Sequence, residues 1–193
     1  ENSELTIIEN DAFPIPLNGT LILPANVTEL KTNWIFTSKI NSIQPQKLTE
    51  INVDPRNKNI QSFNGKFIFG KSSKEQDNFD VLIFSIPNIE SVIIPDNIEI
   101  IGPNVFSENK NITSVQFSNN SKLRIIGNNA FSKSSIKDIN VPSSLIEIGE
   151  NAFYDCENLQ QFLIPNDSKL QIIGNSSFSN SNIKDINSKK YIK

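Results

Sequence analysis

One short pattern recurs along the second half of the chain and constrains the fold more than any other feature of the sequence. The pattern reads Ile-Gly-x-x-small-Phe, and it occurs at residues 101–106, 126–131, 148–153 and 173–178. Its glycines stand at positions 102, 127, 149 and 174, so the steps between copies are 25, 22 and 25 residues. Self-similarity at a nearly fixed period of this length predicts a stack of repeated structural units.

Long and short copies alternate, because a shift of 47 residues reproduces whole stretches of the chain. The shift maps residues 136–140 onto 183–187 letter for letter, and residues 121–123 onto 168–170. Each unit contains a strand pattern that proline often closes, a short second segment, and the Gly-x-x-small-Phe turn. Strands of about six residues bury too little surface alone, so we predict that neighbouring copies pair in parallel and that proline ends the pairing.

The glycine and the phenylalanine of the pattern receive specific predictions. We expect the glycines at 102, 127, 149 and 174 to supply a backbone conformation that other residues avoid. The phenylalanines at 106, 131, 153 and 178 are too large for a solvated turn, and burying such a ring stabilises the fold by about 1.5–3 kcal/mol. We therefore predict that the four rings stack as one buried ladder between successive coils.

The chain is predicted to be a single solenoid over residues 1–193, in three parts. Residues 1–47 are degenerate N-terminal repeats, in which Trp34-Ile35-Phe36 occupies the place of the repeated aromatic residue. Residues 48–87 are irregular, with strands at 48–53 and 81–84 and a hairpin turning at Asn64-Gly65, a pair that favours positive φ. Residues 88–193 are the regular alternating 25- and 22-residue repeats.

Charge and hydropathy exclude several classes of partner. The net charge is −3 and the pI is about 5.1, so the chain lacks the basic surface that nucleic acids and anionic membranes attract. No apolar run approaches the roughly 18 residues of a membrane-spanning helix, so we expect no membrane insertion. The chain has no methionine and starts within a degenerate copy of the pattern, so we expect a fragment or a processed chain.

The composition also argues against catalysis. There is no histidine, the usual acid–base residue near neutral pH. The single cysteine, Cys156, excludes an internal disulfide, and its place in the repeat predicts a small buried side chain rather than a nucleophile. Asp138 and Asp185, each followed by an asparagine two residues on, are either a cation site or solvated strand positions, and we favour the second interpretation. We predict that the protein is not an enzyme and uses no cofactor or metal.

Six asparagines begin Asn-x-Ser/Thr sequons. They are Asn18, Asn26, Asn111, Asn119, Asn166 and Asn175. Such asparagines can carry glycans in a chain that a eukaryote secretes. The alternative is that a chain rich in asparagine and serine produces sequons by chance.

Two stretches carry a resemblance to a known family. Residues 159–165 read Leu-x-x-Phe-x-Ile-Pro and residues 148–156 read Ile-Gly-x-x-Ala-Phe-x-x-Cys, which resembles the BspA-like class of leucine-rich repeat. The resemblance implies a β-rich solenoid with a parallel sheet of short strands on its concave face, short turns or helical segments elsewhere, and one β-hairpin insertion, which residues 48–87 match. It also implies surface or secreted adhesins of bacteria and parasitic protists, and it supplies no binding residues.

The outward side chains of the predicted strands are the candidate binding residues. Side chains alternate along a strand, so the third and fifth positions of each copy face outward. These positions are Glu50, Asn52, Ser91, Ile93, Ser114, Gln116, Asp138, Asn140, Gln161, Leu163, Asp185 and Asn187. The set is mostly small and polar, which suits either recognition of a protein ligand or simple solubility of the sheet.

Together these features predict a non-catalytic protein-binding module. We expect an adhesin-like protein at the cell surface or secreted, with a host or matrix protein as its ligand. The alternative is an intracellular leucine-rich-repeat scaffold that binds a cytosolic protein.

Overall fold

The chain winds into a solenoid whose coils each contribute two short strands. The structure is a computed structural model that describes residues 3–13, 17–35 and 47–187. The strands of these residues are β1 (Ile7–Ile8), β2 (Asn18–Leu23), β3 (Glu29–Leu30), β4 (Lys47–Val53), β5 (Gln61–Phe63), β6 (Phe67–Gly70), β7 (Val81–Ser85), β8 (Ser91–Ile94), β9 (Ile100–Ile101), β10 (Ser114–Phe117), β11 (Ile125–Ile126), β12 (Asp138–Asn140), β13 (Glu147–Ile148), β14 (Gln161–Leu163), β15 (Ile172–Ile173) and β16 (Asp185–Asn187).

Two sheets run along the regular part of the stack. The first sheet has the order β16-β14-β12-β10-β8 and is parallel throughout. The second sheet has the order β15-β13-β11-β9-β7-β6-β5 and is parallel from β7 to β15. Equivalent residues of successive copies pair, as Val115 does with Val92 on one side and Ile139 on the other. The predicted parallel pairing of copies is confirmed.

The core lies between the two sheets as a narrow strip. The first sheet buries side chains from the middle of its strands, such as Val115, Ile139 and Phe162. The second sheet buries Ile101, Ile126 and Ile148 in the same way. Because each residue packs mainly against the same position of the next coil, the strip needs few apolar residues per unit.

The predicted phenylalanine ladder is confirmed. Successive rings of Phe106, Phe131, Phe153 and Phe178 are stacked, with centroid separations of 5.0, 5.1 and 5.3 Å. The first three rings are fully buried and Phe178 is half-buried. The ring of Phe162 from the first sheet lies nearly perpendicular to those of Phe153 and Phe178, so the ladder also contacts the first sheet.

The glycines of the pattern have a different role from the one predicted, because none of the four has a positive φ. Their turns stack so closely that a Cβ atom would collide with the backbone of the preceding coil. A Cβ on Gly127 would lie 2.9 Å from the carbonyl carbon of Gly102, and one on Gly174 would lie 2.5 Å from the nitrogen of Glu150. Positive φ occurs two and six residues later, at Asn104, Glu108, Asn129, Lys133, Asn151, Asp155, Ser176 and Asn180.

The short helical segments that the resemblance implied are not found in the described residues. In the turns, the amide of Ala130 donates to Gly127 O within its coil, while that of Phe131 donates to Ala152 O of the next coil. Because alternate amides are committed to the neighbouring coil, no helical series of i→i−4 bonds forms. The described part of the chain accordingly offers no helix that could cross a membrane.

The predicted hairpin is confirmed and forms one end of the second sheet. Asn64 and Gly65 have φ values of 53° and 63°, and β5 and β6 pair antiparallel on either side of them. The tip lies beside β4, where Ile51 N donates to Gly65 O at 2.7 Å. Strand β4 pairs with β2 in a separate two-stranded sheet, and no Cα atom of β4 lies within 8 Å of one in β8.

The N-terminal coils contain an aromatic cluster around Trp34. Trp34 is buried, with its ring 6.0 Å from Phe13 and 5.1 Å from Phe84. Phe13 forms a parallel β-bridge with Ile35, so within the predicted segment 34–36 it is Ile35 that takes the place of the repeated phenylalanine, and Trp34 takes that of the small residue before it. Phe36 lies outside the described residues. Asn104 Nδ2 donates to Asn33 Oδ1 at 3.0 Å, which ties this part of the chain to the regular coils.

Candidate protein-binding face

The first sheet aligns ten of the predicted residues in two rows, which we call the outward face. One row consists of Ser91, Ser114, Asp138, Gln161 and Asp185, which pair in register across the five strands. The other row consists of Ile93, Gln116, Asn140, Leu163 and Asn187. Strands lie about 4.8 Å apart, so each row extends over about 19 Å.

Strict alternation of side chains creates this face. The residue between the two rows on β8, β10, β12 and β14, such as Ile139 between Asp138 and Asn140, is buried. The face residues of β8, β10, β12 and β14 are exposed, except for Ser114, which is half-buried. The sheet therefore fixes the positions of the Cα atoms of these residues, and the side chains extend into solvent.

Unused hydrogen-bonding capacity is the main chemical property of the face. Gln116, Asn140 and Gln161 each carry an amide with donors and acceptors. None of the three side chains hydrogen-bonds to another described residue, so all of this capacity is open to a partner.

Two apolar residues stand among the polar ones. Ile93 on β8 is 68% exposed and Leu163 on β14 is 36% exposed. Three strand intervals separate them, which is about 14 Å. The face thus offers two small apolar contacts with amide groups between them.

Sequence reasoning missed a third row beside the face. The row consists of Glu90, Thr113, Lys137, Gln160 and Lys184, which directly precede the strands. From Thr113 onward, each amide donates to the carbonyl of its equivalent in the previous coil at 2.8–3.2 Å. All but Thr113 are exposed. The signal was present in the sequence, because these residues come directly before the outward positions in every regular copy.

Glu50 and Asn52 are not brought together with the other ten residues. They lie on β4, which belongs to a separate two-stranded sheet, and they pair with Thr20 and Ile22 of β2. Thr20 Oγ1 donates to Glu50 Oε2 at 3.1 Å. The exposed side chain of Ile22 was also missed, although the alternation of residues 20–23 indicates it.

The backbone register argues against the alternative cation site. Asp138 and Asp185 both pair with Gln161, so two strand intervals of about 4.8 Å separate them. Calcium ligands lie within about 2.6 Å of the ion, which this separation does not favour. The residues that the structure describes contain no group of three His, Cys, Asp or Glu side chains able to hold a metal.

Cys156 is a packing residue. It is fully buried, its thiol donates to Phe131 O at 3.0 Å, and it lies 3.6 Å from Ser134 Oγ. Burial raises the pKa of the Cys156 thiol, which disfavours the thiolate that a nucleophile requires.

The two stacked sheets, the alternating coil lengths and the aromatic ladder define a leucine-rich-repeat solenoid. The chain belongs to the BspA-type leucine-rich-repeat family, whose model matches residues 80–193 in six copies. A search of curated proteins finds no match.

Solved structures of bacterial proteins share the fold. The pneumococcal vaccine antigen PcpA matches 89% of this chain with a TM-score of 0.70 and 24% identity. A leucine-rich cell surface protein from Faecalibacterium prausnitzii matches 89% with a TM-score of 0.56 and 21% identity. The present chain spans 39% of the first protein and 52% of the second.

Proposed function

We propose that the protein is a non-catalytic, adhesin-like module that binds a host or matrix protein at the cell surface or after secretion. The outward face is the binding site in this proposal. The observation that carries it is the set of exposed, uncommitted amide side chains on a rigid parallel sheet, at Gln116, Asn140 and Gln161.

The face suits a protein ligand for a physical reason. Binding costs free energy whenever mobile groups must be ordered, and strands held by neighbours on both sides are already ordered. Amide groups pair with the backbone and polar side chains of a partner, while Ile93 and Leu163 supply apolar contact. Extended surfaces of this kind are what solenoids commonly use in recognition.

The names of the two similar proteins support a location at the cell surface. One belongs to a vaccine antigen and the other to a cell surface protein.

The test replaces side chains of the outward face by substitutions that should leave the fold unchanged. We would replace Gln116, Asn140 and Gln161 together by lysine and measure binding to a panel of immobilised matrix proteins and to host cells. The expected result is a loss of at least tenfold in affinity for the ligand that the unchanged protein binds. Circular dichroism and thermal unfolding would show that the variant is folded.

A matched control variant distinguishes a loss of binding caused by changing the outward face from one caused by the added positive charge alone. Asn120, Gln171 and Ser179 are exposed polar residues off the first sheet, and their replacement by lysine adds the same charge. This control should bind as the unchanged protein does. Equal binding by both variants would refute the face as the site, and binding of no protein on the panel would count against the adhesin role.

A further inference from the structure

Two of the six sequons occupy equivalent corners of the solenoid. Leu145 follows Pro142 by three positions in a short copy, whereas Leu170 follows Pro165 by five in a long copy. In the long copy, Ser168 N donates to Pro165 O at 3.0 Å and closes a turn at 165–168, as Leu145 N does with Pro142 O at 3.1 Å in the short copy. The two additional residues come directly after this turn. The other long copy has the same turn at 118–121, closed at 3.2 Å. The sequons Asn119-Asn120-Ser121 and Asn166-Asp167-Ser168 lie in these turns.

The sequon asparagines are free in both corners. Asn119 and Asn166 are exposed, and neither side chain hydrogen-bonds to another described residue. By contrast, Asn111 Nδ2 donates to Asn88 Oδ1 and Asn26 Nδ2 donates to Ser3 O. A group attached to Nδ2 of Asn119 or Asn166 would therefore extend into solvent and break no native contact.

The sequon serines have a structural role that a glycan would not disturb. Ser121 and Ser168 are buried, and their hydroxyls accept from Leu123 N at 3.3 Å and Leu170 N at 3.1 Å. Glycan transfer precedes folding in the secretory pathway, so burial of the hydroxyl in the final structure does not prevent it.

No sequon falls on the outward face, although asparagine is present there. Asn140 and Asn187 are followed two residues later by Pro142 and Lys189 rather than by serine or threonine. Glycans at the two corners would lie beyond the ends of β10 and β14 and leave the face uncovered.

We propose that Asn119 and Asn166 are acceptor sites for N-linked oligosaccharides, an inference that rests on the proposed surface or secreted location and on secretion by a eukaryotic cell. The donor is a polyprenyl-diphosphate-linked oligosaccharide. The amide Nδ2 forms a bond to C1 of the first sugar, the bond from C1 to the diphosphate oxygen breaks, and polyprenyl diphosphate leaves. The proton lost from Nδ2 passes to a base of the transferase. Exposed turns are the places where such sequons are used.

The test uses the protein purified from its own cells. Peptide-N-glycosidase in heavy-oxygen water converts each glycosylated asparagine to labelled aspartate, which mass spectrometry of peptides locates. We expect label at both Asn119 and Asn166. The variant with Asn119→Gln and Asn166→Gln should lose the mass of two glycans and retain its ligand binding. Absence of label at either position overturns the inference.

Failure of the glycan proposal can be distinguished from failure of the proposed binding function. A chain with bare asparagines whose outward face still binds a protein overturns only the glycan sites. A glycosylated chain whose face binds no protein confirms the sites and counts against the adhesin role.

Discussion

The rings of Phe131 and Phe153 lie 5.1 Å apart and are inclined by only 2° to each other. They come from successive copies of different length, 22 residues apart in sequence. The alternation of long and short units therefore leaves the core position unchanged, and the additional residues are accommodated at the corners of the coil. This relationship makes the phenylalanine ladder a sensitive probe of the stack.

We predict that Phe153→Ala destabilises the protein by about 3–5 kcal/mol, the usual cost of truncating a buried aromatic ring. Phe153 is fully buried and contacts the rings of Phe131, Phe162 and Phe178. Phe178→Ala should cost clearly less, because Phe178 is only half-buried. Guanidinium denaturation of the two variants compares them, and equal costs would contradict the prediction.

The sequence was sufficient to predict the ladder, because a large apolar residue at one fixed place in every copy is stable only in a shared core. The sequence was not sufficient to explain why the repeated positions 102, 127, 149 and 174 require glycine. A regular spacing of glycines is compatible with either a positive φ or a close approach of two backbones, and the three-dimensional structure is needed to distinguish them. In this chain the close approach applies at Gly127, and the left-handed conformation falls on Asn129.

A methyl group at Gly149 should therefore be costly for steric reasons. A Cβ there would lie 2.5–2.8 Å from Asn128 and from the carbonyl carbon of Gly127. We predict that Gly149→Ala destabilises by about 1–3 kcal/mol, as overpacking does. Gly70→Ala is the matched control, because its Cβ would meet only the side chain of Ile83 at 3.4 Å. Urea unfolding should show little change for the control, and an equal loss in both would refute this steric account.

The location of the hairpin tip was also beyond sequence reasoning. Asn64-Gly65 predicts a turn from local preferences alone, and that prediction is confirmed. Where the tip docks depends on long-range contacts, such as the bond from Ile51 N to Gly65 O. The twelve predicted outward residues therefore divide into ten on the first sheet and two, Glu50 and Asn52, on a separate one.

Lys133 offers a stabilising substitution. Its φ is 59°, a region that costs most residues roughly 1–2 kcal/mol and that asparagine tolerates better. The equivalent position 47 residues later is already an asparagine, Asn180, with the same φ. We predict that Lys133→Asn raises stability by about 0.5–1 kcal/mol. The thermal midpoint should rise, whereas Lys122→Asn at an exposed position without positive φ should leave it unchanged.

Two buried asparagines should respond differently to the same change. The Oδ1 atoms of Asn57 and Asn109 each accept from the backbone amides two and three residues later, at 2.8–3.1 Å. Asn57 Nδ2 also donates to Pro24 O and Val27 O, whereas Asn109 Nδ2 has no partner among the described residues.

Replacement by aspartate retains the acceptor and removes the donor. At position 57 the new oxygen would face two carbonyl oxygens, and lost buried hydrogen bonds cost about 1–3 kcal/mol. We predict that Asn57→Asp destabilises by at least about 1 kcal/mol more than Asn109→Asp. Chemical denaturation at pH 7 measures the difference, and a larger loss at position 109 would contradict the prediction.

Asp80 makes part of the stability dependent on pH. Burial raises the pKa of Asp80, but hydrogen bonds from the hydroxyl and amide of Ser72, with the nearby amide of Gln76 donating to that hydroxyl, outweigh the effect of burial, so the pKa lies below its usual value of 3.8. A carboxylate whose pKa is lowered by folding contributes stability above pH 3.8, and the contribution is lost as the pH falls through the folded-state pKa.

The Asp80→Asn variant should therefore be less stable than the unchanged protein at pH 7, by about 1–3 kcal/mol. The difference in urea midpoint should narrow as the pH falls below 4. Asp77→Asn changes an exposed carboxylate in the same loop and should have little effect, and a constant difference between Asp80→Asn and the unchanged protein from pH 7 to pH 3 would refute this assignment.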